Sequence, residues 1–128
     1  MKKKTSGFSL IELLVVMMIL GLLVSLVGPA LFGKADSSRV KAAEAQIKLL
    51  STALDTYRLD VGLYPKNLDG LISDNVRGWD GPYLPQSLPQ DPWGNTYQYE
   101  RTNTGFSLMS FGKDGKLGGE DDNADITF

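Results

Sequence analysis

The stretch FSLIELLVVMMILGLLVSLVGPALF, residues 8–32, runs for 25 residues with one charged side chain, that of Glu12. At about 1.5 Å of rise per residue, a helix of this length crosses a hydrocarbon core of roughly 30 Å. Three basic residues precede it, Lys2, Lys3 and Lys4, and the positive-inside rule keeps them in the cytoplasm. The sequence therefore predicts a single-pass membrane anchor with the rest of the chain on the far side of the membrane; if the cell is Gram-negative, these are the inner membrane and the periplasm.

A cleavable secretory signal is the alternative interpretation of this segment. Such signals share the basic start, but their apolar core is shorter and ends in a small-residue cleavage site. Here the apolar run is about twice that length, and Ala30-Leu31-Phe32 is a poor cleavage site. We therefore expect the segment to remain as a transmembrane helix.

Composition excludes several classes of function. The 128 residues include neither cysteine nor histidine, so a thiolate metal site and the commonest general base are both absent. From residue 34 onward, ten basic residues stand against fourteen acidic ones, with no basic stripe that would indicate nucleic-acid binding. No glycine-rich phosphate loop follows a strand, and no nucleophile can be paired with a base. We therefore expect no enzyme, although two carboxylates could in principle form a glycosidase pair.

Residues 36–61 carry an amphipathic helical pattern. Apolar side chains recur at alternating spacings of three and four, which places them on one helix face. They are Val40, Ala43, Ile47, Leu50, Leu54, Tyr57 and Val61. We expect this face to pack on the protein's own sheet rather than in a free coiled coil, because strand signals follow it. The two helical segments can form one helix of about 50 residues, with a hinge at Gly28-Pro29 because proline removes a backbone hydrogen bond.

Residues 62–95 are rich in glycine, proline and aspartate, and they are predicted to form an ordered loop. Within it, residues 68–74 can hold a short helical turn with Asn67 or Asp69 near its start. The sequence Asp91-Pro92-Trp93-Gly94-Asn95 is interpreted as a structural turn whose indole covers the core, in preference to a binding site.

A β-hairpin is predicted next. Residues 96–99 and 106–111 alternate as strands, and Asn103-Thr104-Gly105 between them has the composition of a turn. The tail that follows is glycine and carboxylate with little apolar content until Ile126 and Phe128.

Five carboxylates lie within 12 residues of this tail. They are Asp114, Glu120, Asp121, Asp122 and Asp125. The glycines between them let the backbone turn sharply, and calcium takes about six to eight oxygens in flexible geometry. The tail is not an EF-hand, because Ile126 replaces the required glycine and no glutamate follows at the twelfth position. The residues alone leave a calcium loop and a solvated acidic tail equally open.

Several of these motifs together resemble a known family. GFSLIELLVV, residues 7–16, resembles the type IV prepilin signature. DPWGN with TYQY behind it, Asp114-Gly115-Lys116 and Ala124-Asp125-Ile126 resemble motifs of the major pseudopilins of the bacterial type II secretion system. The resemblance covers nearly the whole chain, with Ser9 where threonine is also common. It implies an α+β, type IV pilin-like fold: a long N-terminal helix packed on a small antiparallel sheet, with a C-terminal calcium loop.

For the N-terminus, the resemblance implies processing and assembly. A prepilin peptidase would cleave after Gly7, the new terminus at Phe8 would be N-methylated, and the subunits would polymerise. The amine of an incoming subunit would then neutralise Glu12, because opposite buried charges are better together than apart. Snorkelling of an isolated Glu12 to the membrane interface is the alternative.

For the tail, the resemblance implies that the cofactor is Ca²⁺. The implied side-chain ligands are Asp114, Asp121 and Asp125, with Asp122 as a further candidate. Backbone carbonyls near Phe111 would complete the coordination shell.

The implied organisation has three parts: a leader peptide, residues 1–7; a transmembrane and filament-core helix, residues 8–32; and a periplasmic globular domain, residues 33–128. The globular domain would consist of the amphipathic helix 36–61, the loop 62–95, and the β-hairpin with the acidic loop, 96–128.

The implied function is that of a structural subunit of the type II secretion pseudopilus, a periplasmic filament that drives secretion of folded proteins across the outer membrane. Its implied partners are further copies of itself, minor pseudopilins, the inner-membrane assembly platform and the prepilin peptidase. Before assembly, the chain would be anchored in the membrane. A type IV pilin or minor pseudopilin is the closest alternative, and it should lack the aspartate loop. A monomeric membrane-tethered periplasmic binding module or hydrolase is the alternative from a different class, and it should show a ligand pocket.

Overall fold

The computed structural model describes residues 1–128, apart from the side chain of Asp122. The chain divides into two units, Met1–Ala35 and Asp36–Phe128. One long helix and a small antiparallel sheet form the framework, as the sequence predicts. The elements are helix α1, Leu10–Val61; strands β1, Gln98–Arg101, β2, Phe106–Ser110, and β3, Ile126–Thr127; and two short 3₁₀ helices, Leu68–Leu71 and Asp121–Asn123.

The first part of α1 is strongly apolar. An 18-residue window of this helix is hydrophobic enough to cross a membrane, and none of that window is buried within the single chain. Helical backbone continues through Pro29. A hinge at this proline therefore stays a prediction, without a break in the helix to support it.

The second part of α1 packs on the sheet. Five of the seven stripe residues are buried, namely Ala43, Ile47, Leu50, Leu54 and Tyr57, and Val40 and Val61 are partly buried against the same core. Tyr97, Leu108 and Ile126 contribute to this core from the C-terminal half of the chain. Because residues of α1 and of the sheet share one core, the predicted packing of the helix on its own sheet is confirmed. Each fully buried leucine contributes about 1.5–3 kcal/mol to it.

The hairpin forms with shifted bounds. Strand β1 begins at Gln98 rather than residue 96, because the chain before it is occupied by a turn in which the Asn95 carbonyl accepts the Asp91 N–H at 2.8 Å. Strand β2 ends at Ser110 rather than residue 111, and Gly112 then turns at φ +71°. Tyr99 pairs with Leu108, and the tight loop is closed by the Thr102 N–H, which donates to the Gly105 carbonyl at 2.9 Å.

Strand β3 is a third element that the sequence analysis did not predict. It pairs antiparallel with β2, with Thr127 opposite Met109 and Ile126 opposite Ser110. Two residues are too few to show an alternating pattern. The buried side chain of Ile126 is the contact that fixes this strand against the core.

The loop after α1 is held by hydrogen bonds from its aromatic side chains. Gly62 adopts φ +90° directly after Val61, which ends the helix. Trp79 Nε1 donates to the Gly70 carbonyl at 2.9 Å, and the Tyr83 hydroxyl donates to Asp60 Oδ2 at 2.8 Å. The predicted helical turn is a 3₁₀ helix with Asn67 at the N-cap position, although the Asn67 side chain makes no capping hydrogen bond.

Candidate functional site

Two reciprocal hydrogen bonds between Ser9 and Glu12 close the N-terminus of α1. The Ser9 N–H donates to Glu12 Oε2 at 3.1 Å, and the Glu12 N–H donates to Ser9 Oγ at 3.2 Å. This arrangement is a capping box, with Ser9 as the N-cap. The helix therefore begins at Leu10, two residues later than predicted. The spacing S-x-x-E in SLIE was the sequence signal for this cap, and the sequence analysis missed it.

The predicted cleavage point lies outside the helix. Gly7 and Phe8 precede the capping box in non-helical backbone, and Phe8 is 89% exposed. Exposed, irregular backbone is the kind that proteases cut, since the chain must enter an active site in extended form. The structure thus leaves the bond after Gly7 accessible, and Phe8 and Ser9 separate that bond from the helix.

Glu12 lies among apolar neighbours on the helix surface. Ile11, Val15 and Val16 form a shallow depression with it. The surrounding apolar side chains of this unit are exposed in the single chain. Such a surface requires lipid or other apolar chains around it. Glu12 is the only acidic residue in the sequence of the unit Met1–Ala35.

The second candidate region is the acidic loop, which we define as residues 112–125. A buried hydrogen-bond network around Asp91 anchors its base. The Ser110 hydroxyl donates to Asp91 Oδ2 at 2.7 Å, and the Gly112 N–H donates to Ser110 Oγ at 3.2 Å. Asp91 Oδ1 accepts the N–H groups of Trp93 at 3.1 Å and Asn95 at 2.8 Å. These contacts support the structural interpretation of the DPWGN turn.

Glycines allow close backbone contacts within the acidic loop, one of them between its two ends. A Cβ on Gly112 would lie 2.7 Å from the Ala124 carbonyl oxygen, and a Cβ on Gly119 would lie 2.3 Å from that of Asn123. Gly119 also adopts φ +106°, which side-chain-bearing residues rarely adopt. The loop can close in this way only because these positions carry no side chain.

An ion pair fastens the acidic loop to α1. Lys113 Nζ lies 3.0 Å from Asp36 Oδ2, and Arg39 lies on the other oxygen of the same carboxylate, 3.6 Å from Oδ1. The loop therefore begins beside the first residue of the unit Asp36–Phe128.

The predicted calcium ligands are placed unequally. Asp125 Oδ2 accepts the Gly118 N–H at 2.8 Å, whereas Asp125 Oδ1 is buried and has no hydrogen-bond partner. Asp114 Oδ1 accepts the Lys116 N–H at 3.0 Å. Asp121 is exposed.

The donor chemistry of the loop fits a calcium ion in kind. A buried carboxylate oxygen without a partner is costly, and Ca²⁺ takes carboxylate and backbone oxygens. Within the described side chains, however, no three acidic groups are gathered into a metal-binding cluster. The predicted ligand Asp122 lies outside the described side chains, and Phe111 lies directly before Gly112 at the start of the loop.

Tyr97 connects the segment before β1 to α1, and Tyr99 connects β1 to the loop after α1. Burial, with the nearby charge of Asp91, raises the pKa of Tyr97 to about 12, and its hydroxyl donates to Gln46 of α1. Burial also raises the pKa of Tyr99 to about 12, and this hydroxyl donates to the Pro65 carbonyl at 2.7 Å. Both tyrosines are therefore neutral hydrogen-bond donors at physiological pH.

Family models match both parts of the chain. Residues 2–28 match the prokaryotic N-terminal methylation motif, and residues 30–128 match type II secretion system (T2SS), protein G. The first match contains the capping box and Glu12. The second contains the hairpin and the acidic loop.

Relatives match over nearly their full lengths. The type II secretion system core protein G of Pseudomonas aeruginosa is 41% identical, over 98% of this chain and 95% of that protein. The proteins of the same name from Aeromonas hydrophila and Vibrio cholerae are 40% and 39% identical, over 94% and 97% of this chain and 92% and 91% of their own. The crystal structure of the major pseudopilin from the type 2 secretion system of enterohaemorrhagic Escherichia coli superposes with a TM-score of 0.61 at 31% identity, over 76% of this chain and 91% of that chain.

Proposed function

Since this chain belongs to the family of type II secretion system core protein G, the major pseudopilins, we propose specific roles for its N-terminus and its acidic loop in building the filament. The chain is a structural subunit of the type II secretion pseudopilus. Its methylation motif and apolar segment are those of a membrane-anchored pseudopilin. The family is a structural one, and the proposal includes no catalytic activity.

The first role concerns processing. A prepilin peptidase cleaves after Gly7, and the new amine of Phe8 is methylated. The exposed, non-helical backbone at Gly7 and Phe8 supports this step, because the bond can be cut without unwinding α1. After cleavage, the new N-terminal residue Phe8 directly precedes the N-cap residue Ser9.

The second role concerns assembly, and the observation that carries it is the capped Glu12 on an exposed apolar helix. The capping box is worth about 1 kcal/mol, whereas an unpaired buried charge costs several kcal/mol. A carboxylate has two oxygens and about four lone-pair sites, so Glu12 can bind Ser9 and an incoming amine together. Packing of subunits therefore favours pairing of Glu12 with the Phe8 amine of the next chain, which sets the register between helices.

The filament formed in this way extends into the periplasm and drives folded proteins across the outer membrane. Its partners are further copies of this chain, minor pseudopilins and the inner-membrane assembly platform. The basic residues Lys2, Lys3 and Lys4 support a cytoplasmic N-terminus, and hence a periplasmic globular unit.

The test uses two variants of Glu12 in cells that carry the secretion machinery. Glu12→Leu removes both the charge and the cap, while Glu12→Gln keeps an acceptor for the Ser9 N–H and removes only the charge. We expect both variants to enter the membrane and neither to form filaments, measured by fractionation and electron microscopy. Glu44→Gln, an exposed carboxylate farther along α1, is the matched control and should assemble normally. Normal filaments from Glu12→Gln would show that capping, not charge pairing, is the role of Glu12.

The third role is a calcium ion in the acidic loop. Asp114, Asp121 and Asp125 would hold it, with Asp122 as a further ligand and a backbone carbonyl near Phe111. Bound there, the ion would supply positive charge that ties the loop to the end of β2. The buried, unpartnered Oδ1 of Asp125 supports this proposal.

Calcium titration of residues 36–128 tests this third role. We expect Ca²⁺ to bind and to raise the melting temperature, since a ligand that binds only the folded state stabilises it. Asp125→Asn should weaken binding at least about tenfold, whereas Glu100→Gln, on the exposed strand β1, should bind as the parent does. Absence of both heat of binding and thermal shift in the parent would leave a solvated acidic loop.

A further inference from the structure

A basic groove lies where the C-terminal end of α1 meets the tip of the β1–β2 hairpin. Its volume is about 480 Å³, and two arginines, Arg58 and Arg101, line it. The remaining lining residues are Gly62, Leu63 and Tyr64 on one side and the hairpin loop, residues 102–105, on the other. We call this the arginine groove.

The two guanidinium groups are held in place by Tyr64, whose hydroxyl donates to Asp55 Oδ1 at 2.8 Å. Arg58 Nη1 donates to the Tyr64 hydroxyl at 3.3 Å and stacks 5.0 Å above the Tyr64 ring centre. Arg101 Nη1 donates to the Tyr64 backbone carbonyl at 3.1 Å. Neither arginine forms an ion pair in the described part of the chain. The groove is thus a preformed positive surface in a unit that carries an excess of acidic residues.

The acidic loop lies toward the other end of the same helical segment. The Lys113–Asp36 ion pair holds the start of this loop beside Asp36, whereas Arg58 is 22 residues farther along α1. That separation corresponds to about 33 Å along the helix axis. Within the described residues of one copy, no ion pair joins the acidic loop to Arg58 or Arg101.

Each surface also exposes a leucine. Leu63 in the arginine groove is 66% exposed, and Leu117 in the acidic loop is 76% exposed. Exposed leucines beside charged groups form the apolar centre and polar rim that are typical of protein interfaces.

We propose that the arginine groove of one copy receives the acidic loop of a second copy. Glu120 of the second copy approaches the two guanidinium groups, and its Leu117 meets Leu63. Because the contact joins two different surfaces of the unit, it is heterologous and can repeat from copy to copy, as a filament requires. The proposal rests on the polymerisation proposed above, and adds to it a contact between globular units that sets their register.

Disulfide trapping in full-length chains tests this contact directly, since the protein has no cysteine of its own. Asn103→Cys places a thiol at the groove, where the loop-closing hydrogen bonds use Thr102 and Gly105 instead. Glu120→Cys places the other in the acidic loop and keeps the Glu120 carbonyl bond to the Asn123 N–H. In secreting cells, the double variant should give a ladder of covalent dimers, trimers and longer species, while neither single variant should.

Charge reversal supplies an independent measurement. Arg101→Glu and Glu120→Arg should each lower the polymerised fraction about tenfold, because like charges would then face each other. The double reversal should restore it to within about twofold of the parent. Arg77→Glu, an exposed arginine outside the groove, is the matched control and should have no such effect.

The outcomes separate this inference from the proposed function. If the parent chain forms filaments but the double-cysteine variant gives no ladder and the paired reversal no rescue, the groove contact is rejected while the pseudopilus role stands. A parent chain that forms no filaments in secreting cells would instead reject the proposed polymerisation.

Discussion

The buried Asp91 network offers a sharp test of how the acidic loop is held. Asp91→Ala removes the acceptor of three hydrogen bonds, from the Ser110 hydroxyl and from the N–H groups of Trp93 and Asn95. Hydrogen bonds to a charged group contribute about 1.5–3 kcal/mol each, and buried groups left without a partner carry a further penalty. Because the Asn95 N–H can reach water after truncation, we expect a loss of about 4 kcal/mol in the free energy of unfolding.

Asp91→Asn separates the two halves of the network. The asparagine oxygen can still accept both N–H groups, but its amide faces the Ser110 hydroxyl with donors, so we expect a loss of about 1–2 kcal/mol. The assay is urea unfolding of residues 36–128 followed by circular dichroism, with comparison at equal m-value. For a domain of this size, the alanine variant should melt about 15–30 °C lower than the parent.

Glu100→Ala is the control for these two variants, because Glu100 is exposed on β1 and should cost less than about 0.5 kcal/mol. An alanine variant of Asp91 within about 1 kcal/mol of the parent would refute the reasoning. Equal losses for Asn and Ala would also refute it, since the two N–H groups would then contribute nothing.

Two further predictions concern the loop and the tyrosines. Gly119→Ala should destabilise the acidic loop and weaken calcium binding far more than Gly118→Ala. Both glycines have positive φ, but only at Gly119 would the added Cβ lie 2.3 Å from a backbone atom. Equal effects of the two substitutions in calcium titration would contradict this. Stability should also fall as pH rises from about 10 to about 12: the pKa values of Tyr97 and Tyr99 are raised to about 12 in the folded protein, so the unfolded chain loses these protons first. Melting temperatures and tyrosinate absorbance across this interval measure the effect, and a constant melting temperature would contradict it.

The framework could be predicted because its signals are local. The apolar run, the 3–4 spacing from Val40 to Val61, and the turn residues of the hairpin each report their own element. The Ser9–Glu12 capping box was equally local and could have been found from its spacing. The carboxylate that interrupts the apolar run therefore also caps the end of the helix.

The candidate site was less predictable because its parts come from distant segments. The Asp91–Ser110 bond, the Lys113–Asp36 ion pair and the pairing of β3 with β2 all join residues far apart in sequence. The carboxylates of the tail could be counted, but which oxygen would be buried without a partner could not. The arginine groove likewise exists only because the hairpin tip folds against the end of α1.

The membrane-length helix and the buried face of its continuation could be predicted from the sequence. The length of the apolar run and the spacing of apolar residues are properties of a single helix. The third strand, the closure of the acidic loop and the arginine groove were set by the tertiary structure. These features depend on long-range packing, whose energy comes from contacts that no local pattern encodes. The same division applies to function: the anchor can be read from the chain, whereas the surfaces that would join one globular unit to the next appear only in the folded protein.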